Sequence, residues 1–309
     1  MTLTLTVPAD AAGTRLDRFL AEPLGSRARA QRLIDSERVR VDGVARSKRY
    51  AIKPGEGIVI DDLDPVAEAP AGEAPFAVAH EDAYLLIVDK PAGVVVHPAR
   101  GHRSGTLAQA LAGVGAGGED PWRAGIVHRL DRHTSGLLVV AKSEEVHRAL
   151  KALLAARHLR REYLALVEGR PSARSGTIDA PIGRDRRERL LMSIETDQGR
   201  AARTHFEIEQ ALPRSTLLRV VLETGRTHQI RVHMAAIGHP VCGDAQYGAA
   251  GAYGLERQFL HATQLTFAHP ITGAPIDVGS SLPEELERAL ERARDDSAQP
   301  ARGPSSPRS

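Results

Sequence analysis

Short continuous apolar runs recur through the middle of the chain: Tyr84 to Val88, Leu137 to Ala141, Tyr163 to Val167 and Leu217 to Leu222. Runs of this length, rich in branched side chains and bounded by polar turns, read as buried strands. Val94-Val95-Val96 reads as extended chain beyond the turn Lys90-Pro91-Ala92-Gly93, leading to His97-Pro98. Helical spacing is expected at about 105–113 and 144–157. Strands and helices do not alternate regularly, so the pattern predicts an α+β fold around a mixed, mostly antiparallel sheet.

The first sixty residues have a different pattern. Thr14 is placed to cap a helix carrying Leu16, Phe19 and Leu20 and ending near Gly25. Ser26 is placed to cap a second, with Leu33 and Ile34 inward and Arg27, Arg29 and Arg32 exposed. Arg38-Val39-Arg40-Val41-Asp42-Gly43-Val44 predicts a hairpin about Asp-Gly, and Ile58-Val59-Ile60 a later strand. From Asp64 to Pro75 the chain is Pro, Ala and Glu without periodicity, a linker. The expected organisation is therefore a basic module over 1–63, a linker over 64–75, a large domain over 76–294 and a disordered tail over 295–309.

Composition narrows the possibilities. A hydrophobic content of 42% over 309 residues supports a sizeable core. The single cysteine, Cys242, excludes an intramolecular disulfide framework and any multi-cysteine metal site. MTLTLTVPAD lacks the basic start and apolar stretch of a secretory signal, and no apolar run approaches the roughly 20 residues of a membrane span. A cytoplasmic protein with no membrane association is expected, and a monomer.

Net charge is only +2, but residues 14–53 hold eleven Arg or Lys against five Asp or Glu. That local excess, on an acidic remainder, is the footprint of a nucleic-acid contact, with Arg27, Arg29, Arg32, Arg38 and Arg40 as candidate phosphate ligands. A solvated helical face accounts for the charge alone equally well.

Two polar stretches carry candidate chemistry. In His128-Arg129-Leu130-Asp131-Arg132-His133-Thr134-Ser135-Gly136, Arg129 and Asp131 share a face if the backbone is extended. A carboxylate beside guanidinium groups stays ionised and suits a nucleophile or an electrostatic stabiliser. The plainer alternative is a turn in which Asp131 accepts backbone hydrogen bonds. From Glu223 to Pro240, Thr227 is placed as a helix N-cap, with Ile230, Met234 and Ile237 forming an apolar stripe. Arg226 and Arg231 then stand near a helix start able to receive an anion, either a phosphate or the Asp131 carboxylate, although taken alone the stretch is better read as an ordinary capped helix with a surface arginine. The spacings His128/His133 and His228/His233 cannot chelate from one regular element, and no zinc or nucleotide motif accompanies them. No metal, nucleotide or organic cofactor is expected.

The helix, helix, basic hairpin, strand order over residues 13–61, with Arg15-Leu16-Asp17, Val39 to Gly43 and Pro54-Gly55-Glu56, resembles the alpha-L RNA-binding domain of a small-subunit ribosomal protein. Asp89 to Gly93, His97-Pro98, His128 to Gly136, Arg161 to Val167, Thr224 to His233, Gly238-His239-Pro240 with Gly243-Asp244, and Leu260-His261-Ala262 resemble the RluA-type pseudouridine synthase family, in its RluD- and RluC-like members that modify large-subunit ribosomal RNA. The resemblance implies the pseudouridine synthase fold and structured RNA, large-subunit ribosomal RNA or a precursor subunit, as partner. It implies Asp131 as the carboxylate that starts isomerisation, by attack on ribose or base or by stabilising a glycal-like intermediate. Arg231 would pair with Asp131, and Tyr163 would stack on the base and take part in removing the carbon-5 proton. Arg129 would fill the space of the flipped nucleotide and Leu260 would wall the base. His128 and Arg226 complete the substrate-binding candidates. Competing readings are a non-catalytic ribosome-assembly factor, a transfer-RNA substrate, and a hydrolase using Asp131, for which no partner carboxylate is evident.

Overall fold

The computed structural model describes residues 2–24, 27–61, 74–97, 104–116 and 125–296, with the side chains of 27–29 and 32 left aside. Most of the expected linker and tail, together with Gly25 and the expected cap Ser26, lies outside the described residues. The rest falls into two compact units, one within Met1–Gly72, the other within Glu73–Gly117 and Ala124–Ser309. Among the described residues no helix is long and apolar enough to cross a membrane.

The first unit has strands β1 (Leu3–Thr6), β2 (Val39–Val41), β3 (Val44–Ala45) and β4 (Gly57–Ile60), ordered β1-β4-β2-β3, with helices α1 (Leu16–Phe19) and α2 (Arg27–Asp35). Asp42 and Gly43 both have positive φ, 48° and 76°, as the tight hairpin between β2 and β3 requires. Leu16, Leu20, Ile34, Val39, Val41, Ile58 and Ile60 form its core. The first helix is only one turn long, ending at Phe19 where its pattern suggested an end near Gly25, and its N-cap is Arg15 without a side-chain cap bond. Asp17 explains this: it is buried beside that start and takes the Arg15 Nε and Nη2 at 3.0 and 2.9 Å and Gln31 Nε2 at 2.6 Å, so a buried carboxylate paired with a partly exposed arginine organises the helix start in place of Thr14.

The second unit is built on nine strands. They are β5 (Ala77–Glu81), β6 (Leu85–Lys90), β7 (Ser135–Ala141), β8 (Arg160–Glu168), β9 (Ser175–Asp179), then, past a small β10 (Gly183–Arg184) and β11 (Met192–Ser193) pair, β12 (Arg203–Ala211), β13 (Ser215–Leu222), β14 (Leu260–Ala268) and β15 (Pro275–Gly279). Their order is β5-β6-β7-β14-β8-β13-β12-β9, with β15 also on β14. Every pairing is antiparallel except the short β7–β14 contact at Ser135/His261 and Gly136/Ala262. The expected mixed, mostly antiparallel α+β sheet is what the chain forms.

All seven residues of β7 are buried because the sheet has a core on each face. Leu86, Val88, Leu138 and Val140 point into one, Leu85, Ile87, Leu137 and Val139 into the other, the period-two alternation of a strand covered on both sides. Helix α4 (Glu144–Ala155), capped by Ser143 Oγ accepting from Val146 N, buries Val146 and Leu150 in the second core. Helices α5 (Gln229–Ala236) and α6 (Glu284–Asp295) cover the first, through Ile230 and Met234 and through Leu286, Ala289, Leu290 and Ala293.

Two expected elements differ. Val94 to Val96 is not a strand; the Val95 and Val96 carbonyls accept from Leu107 N and Ala108 N at 2.9 and 3.0 Å and so serve the start of the next helix. That helix, α3, is only Leu107–Ala110, opened by a Thr106/Gln109 capping box. Gly136 (φ 109°) marks the close β7–β14 approach: a Cβ there would lie 2.2 Å from the Ala262 carbonyl oxygen. Side chains are excluded at that point, which lets the Asp131 loop and the start of β14 stand side by side.

Candidate active site

The loop entering β7, the inner part of β8, the end of β13 with the loop after it, and the starts of α5 and β14 converge on one cleft. It is lined by Arg129, Leu130, Asp131, Thr134, Arg161, Tyr163, Leu222, Gly225, Arg226, Thr227, His228, Gln229, Ile230, Arg231 and Leu260. Asp131, Tyr163 and Arg231, separated by up to 100 positions in sequence, are thus brought together, with Arg129, Arg226 and Leu260 around them. The turn after Asp131 exists, but the Asp131 carbonyl closes it, accepting Thr134 N at 3.1 Å. The carboxylate is left for the cleft, where Arg231 Nη1 donates to its Oδ2 at 3.3 Å.

Arg231 reaches this position because its other edge is fixed. Nε and Nη2 donate to the two oxygens of buried Asp244 at 2.6 and 2.9 Å, and Nη2 also donates to Gln246 Oε1 at 2.7 Å. The guanidinium lies over the Tyr247 ring, 5.0 Å from its centroid. Asp244 Oδ1 is held in turn by Gln246 N at 3.0 Å and Tyr247 N at 3.3 Å. Burial works against the charge on Arg231, but the bonds from Asp244 and the proximity of Asp131 outweigh it and raise its pKa. Motif reading alone missed the roles of Asp244, Gln246 and Tyr247. The Gly243-Asp244 pair stands just beyond the helix and was its one visible signal.

The helix start also differs from expectation. The N-cap of α5 is His228, in the left-handed region at φ 57°, and Thr227 does not cap it. The chain is pinned instead by Gln229. Its Oε1 accepts from Arg226 N at 3.0 Å and Thr224 Oγ1 at 2.8 Å, while its Nε2 donates to Arg203 O and Thr204 Oγ1, each at 3.0 Å. Four bonds to one buried amide fix the loop more strongly than one hydroxyl cap would. His228 Nδ1 is hydrogen-bonded to the Tyr247 hydroxyl at 2.8 Å, and that hydroxyl also accepts Met192 N at 3.0 Å. Burial lowers the His228 pKa, with Asp131 acting the other way.

Tyr163 is buried, and burial raises its phenol pKa, Arg161 opposing and Asp131 adding to the rise. A neutral phenol is what the cleft holds, suited to stacking and to hydrogen bonding, and an ionised phenolate base is not. Leu260 is buried and lines the same cleft from the neighbouring strand β14, where it pairs with Ala165 of β8. Arg129 is exposed at the cleft, and Arg226 donates through Nε to Ala201 O at 3.0 Å. His128 is not brought into the cleft. Its Nε2 accepts Val139 N at 3.2 Å, and burial, reinforced by Arg161, drops its pKa to about 3, so it is a neutral ring turned onto β7. In the first unit Arg38 and Arg40 are exposed; the side chains of Arg27, Arg29 and Arg32 lie outside the described residues.

Lys90, wholly buried, supports the Asp131 loop from below. Its Nζ donates to the carbonyls of Pro91 at 2.8 Å, Val94 at 3.0 Å and Arg132 at 3.2 Å. Burial pulls its pKa down to about 7, Arg257 adding to this while Asp131 and Asp89 oppose it.

Fold and cleft define an RNA-modifying enzyme class in which a carboxylate paired with a guanidinium meets a phenol on a mixed sheet, in a chain that also carries a small basic unit. Residues 84–236 match the RNA pseudouridylate synthase family and residues 14–58 the S4 domain. A ribosomal large subunit pseudouridine synthase D of Xanthomonas campestris pv. campestris is 42% identical over 311 residues, covering 96% of this chain and 93% of the relative. One of the same description from Nitrosomonas europaea is 43% identical, over 95% of this chain and 88% of the relative. A Chloroflexus aurantiacus protein described as an uncharacterized RNA pseudouridine synthase is 45% identical, over 94% of this chain and 93% of the relative. Among solved structures, human RNA pseudouridylate synthase domain containing 1 aligns with TM-score 0.54 at 28% identity, over 68% of this chain and 84% of that one. The chain belongs to the RNA pseudouridylate synthase family and is an isomerase carrying an S4 domain.

Proposed function

We propose that the protein converts specific uridines of large-subunit ribosomal RNA to pseudouridine, with Asp131 as the carboxylate that starts the reaction. The observation that carries this reading is the Asp131–Arg231 pair at 3.3 Å, set in a cleft shared with Tyr163 and Leu260. The substrate class is supported by the relatives described as ribosomal large subunit pseudouridine synthases, which align along nearly the whole chain. Work on ribosomal RNA in turn supports a cytoplasmic location.

In this reading the target uridine is drawn out of its helix, at about a few kcal/mol, and Arg129 takes up the space it leaves. The base stacks on the Tyr163 ring, with Leu260 beside it as an apolar wall. Asp131, kept anionic and aimed by Arg231, acts at the ribose as the N-glycosidic bond breaks; the uracil turns and rejoins the ribose through carbon-5. Tyr163, a neutral phenol, orients the base and leaves proton removal to an ionised group. The basic unit over residues 1–63, with Arg27, Arg29, Arg32, Arg38 and Arg40, grips RNA phosphates, offsetting the cost of extrusion.

The test is isomerisation of unmodified large-subunit ribosomal RNA, mapped by carbodiimide adducts that stop reverse transcriptase. Wild type is expected to create discrete new stops and Asp131→Asn none. Wild type giving no stop on ribosomal RNA fragments or on precursor subunits overturns the substrate assignment. A stop that survives Asp131→Asn overturns the role of the carboxylate.

A further inference from the structure

Arg161 stands on β8 two residues before Tyr163, so both side chains belong to one face of the strand and both line the cleft. It is 6% exposed, yet no carboxylate among the described residues pairs with it. Among the described residues its one hydrogen bond is from Nη2 to the Leu222 carbonyl at 3.3 Å, and its buried Nε has no partner there. Burial disfavours its charged form and Tyr163 is the sole group that works the other way. Its neighbour His128 is neutral and brings no compensation. Every other buried arginine of this region has acids: Arg231 has Asp244 and Asp131, Arg257 has Glu285. A buried guanidinium without a counter-charge is costly and is expected to find its partner in a ligand.

The cover over Arg161 points the same way. A Cβ on Gly225 would come within 3.0 Å of Arg161 Nη1, although Gly225 does not have the left-handed backbone that calls for glycine. The missing side chain leaves the outer face of the guanidinium open to the cleft.

We propose that Arg161 is a further catalytic residue, donating hydrogen bonds to a carbonyl oxygen of the target uracil and stabilising the negative charge the base acquires as it leaves the ribose. The inference rests on the uridine isomerisation proposed above. When the N1–C1′ bond breaks, its electron pair goes to the uracil and is shared among N1, O2 and O4. After the base turns, C5 forms the new bond to C1′, the C5 proton departs and N1 regains a proton, so substrate and product are isomers. A cation in a dry site whose partner becomes anionic only in the transition state lowers the barrier more than it tightens binding. Uracil fits better than a phosphate here. A phosphate meets the exposed Arg129 first, whereas the flat edge of a base seated against Tyr163 reaches the buried guanidinium.

The experiment compares wild type, Arg161→Met, Arg161→Lys and Gly225→Ala in single-turnover reactions on ribosomal RNA containing either uridine or 5-fluorouridine at the target, with RNA affinity measured separately. Fluorine makes the uracil a better leaving group and lessens the need for Arg161. Arg161→Met is expected to slow consumption of uridine about 100-fold but that of 5-fluorouridine only about 10-fold, leaving RNA affinity within about threefold. Arg161→Lys, which keeps a charge, retains activity within about 10-fold, and Gly225→Ala slows uridine without changing affinity. Equal losses on the two substrates overturn the proposal, as does a loss confined to affinity with a shallower salt dependence, the mark of a phosphate contact. If wild type itself makes no pseudouridine, the proposed function has failed. Wild-type activity matched by Arg161→Met removes this inference alone.

Discussion

Asp244 holds Arg231 more tightly than Asp131 does: two contacts of 2.6 and 2.9 Å against one of 3.3 Å. Asp244 is 1% exposed and does not line the cleft; Asp131, at 18%, does. Arg231 is therefore clamped from behind and cannot turn to close a bidentate fork on Asp131. Asp131 keeps most of its acceptor capacity for the substrate while remaining beside a fixed positive charge.

Arg231→Lys tests this division. An ammonium is a point charge and cannot span two carboxylates as a planar fork does, so the single-turnover rate on ribosomal RNA is expected to fall by about 100-fold. Asp244→Asn leaves the buried guanidinium without its closest counter-charge, and urea unfolding is expected to show a loss of about 3 kcal/mol together with a slower saturated rate. Full activity in Asp244→Asn, with stability unchanged, would show that Arg231 is positioned without the Asp244 charge.

Much of the sheet was legible because β6, β7, β8 and β13 are short branched apolar runs with two buried faces. The hairpin at Asp42-Gly43 was legible from local turn chemistry. Asp131 and Arg231 were marked by their motifs, although nothing in their spacing required an ion pair across 100 positions. What stayed hidden depends on packing between distant segments. Gln229 displaces Thr227 from the helix start because its partners, Arg203 and Thr204, come from β12. His128 and Arg161 stand in motifs that suggest chemistry without direction; only the fold turns one onto β7 and leaves the other open to the cleft. The short α1 has the same origin, since buried Asp17 takes Gln31 from the second helix.

The neutral ring of His128 gives the fold a specific acid sensitivity. Its folded pKa of about 3 lies below the ordinary histidine value of 6.5, so the folded state binds fewer protons than the unfolded one between them. Its contribution is complete above about pH 6.5 and is lost as pH falls. Between pH 7 and pH 5 the loss is expected to be of order 2 kcal/mol. His128→Gln removes the titration and can still accept Val139 N, so its urea midpoint is expected to fall less between those two pH values. Parallel pH dependence of wild type and variant would show that His128 does not titrate below its ordinary range.

Lys90 ties the turn after β6 to the loop that carries Asp131. Its three carbonyl partners, on Pro91, Val94 and Arg132, come from both segments, and the last follows Asp131 directly. Arg132 returns the link: its Nε donates to the Gly93 carbonyl at 3.1 Å, and Gly93 N donates to the Arg132 carbonyl at 2.8 Å. Lys90→Met keeps most of the side chain's length and removes all three hydrogen bonds; the Arg132 carbonyl keeps Gly93 N, but the Pro91 and Val94 carbonyls lose this donor, at a cost of about 2–4 kcal/mol in unfolding experiments. Because the Asp131 loop is positioned by these bonds and the proposed phosphate grip is assigned to the basic unit, the saturated rate is expected to drop while RNA affinity stays within about twofold. A variant that loses stability yet isomerises at the wild-type rate would show that the loop holds Asp131 without Lys90. One that loses affinity in proportion to rate would show that the turn at Pro91 to Val94 itself meets the RNA.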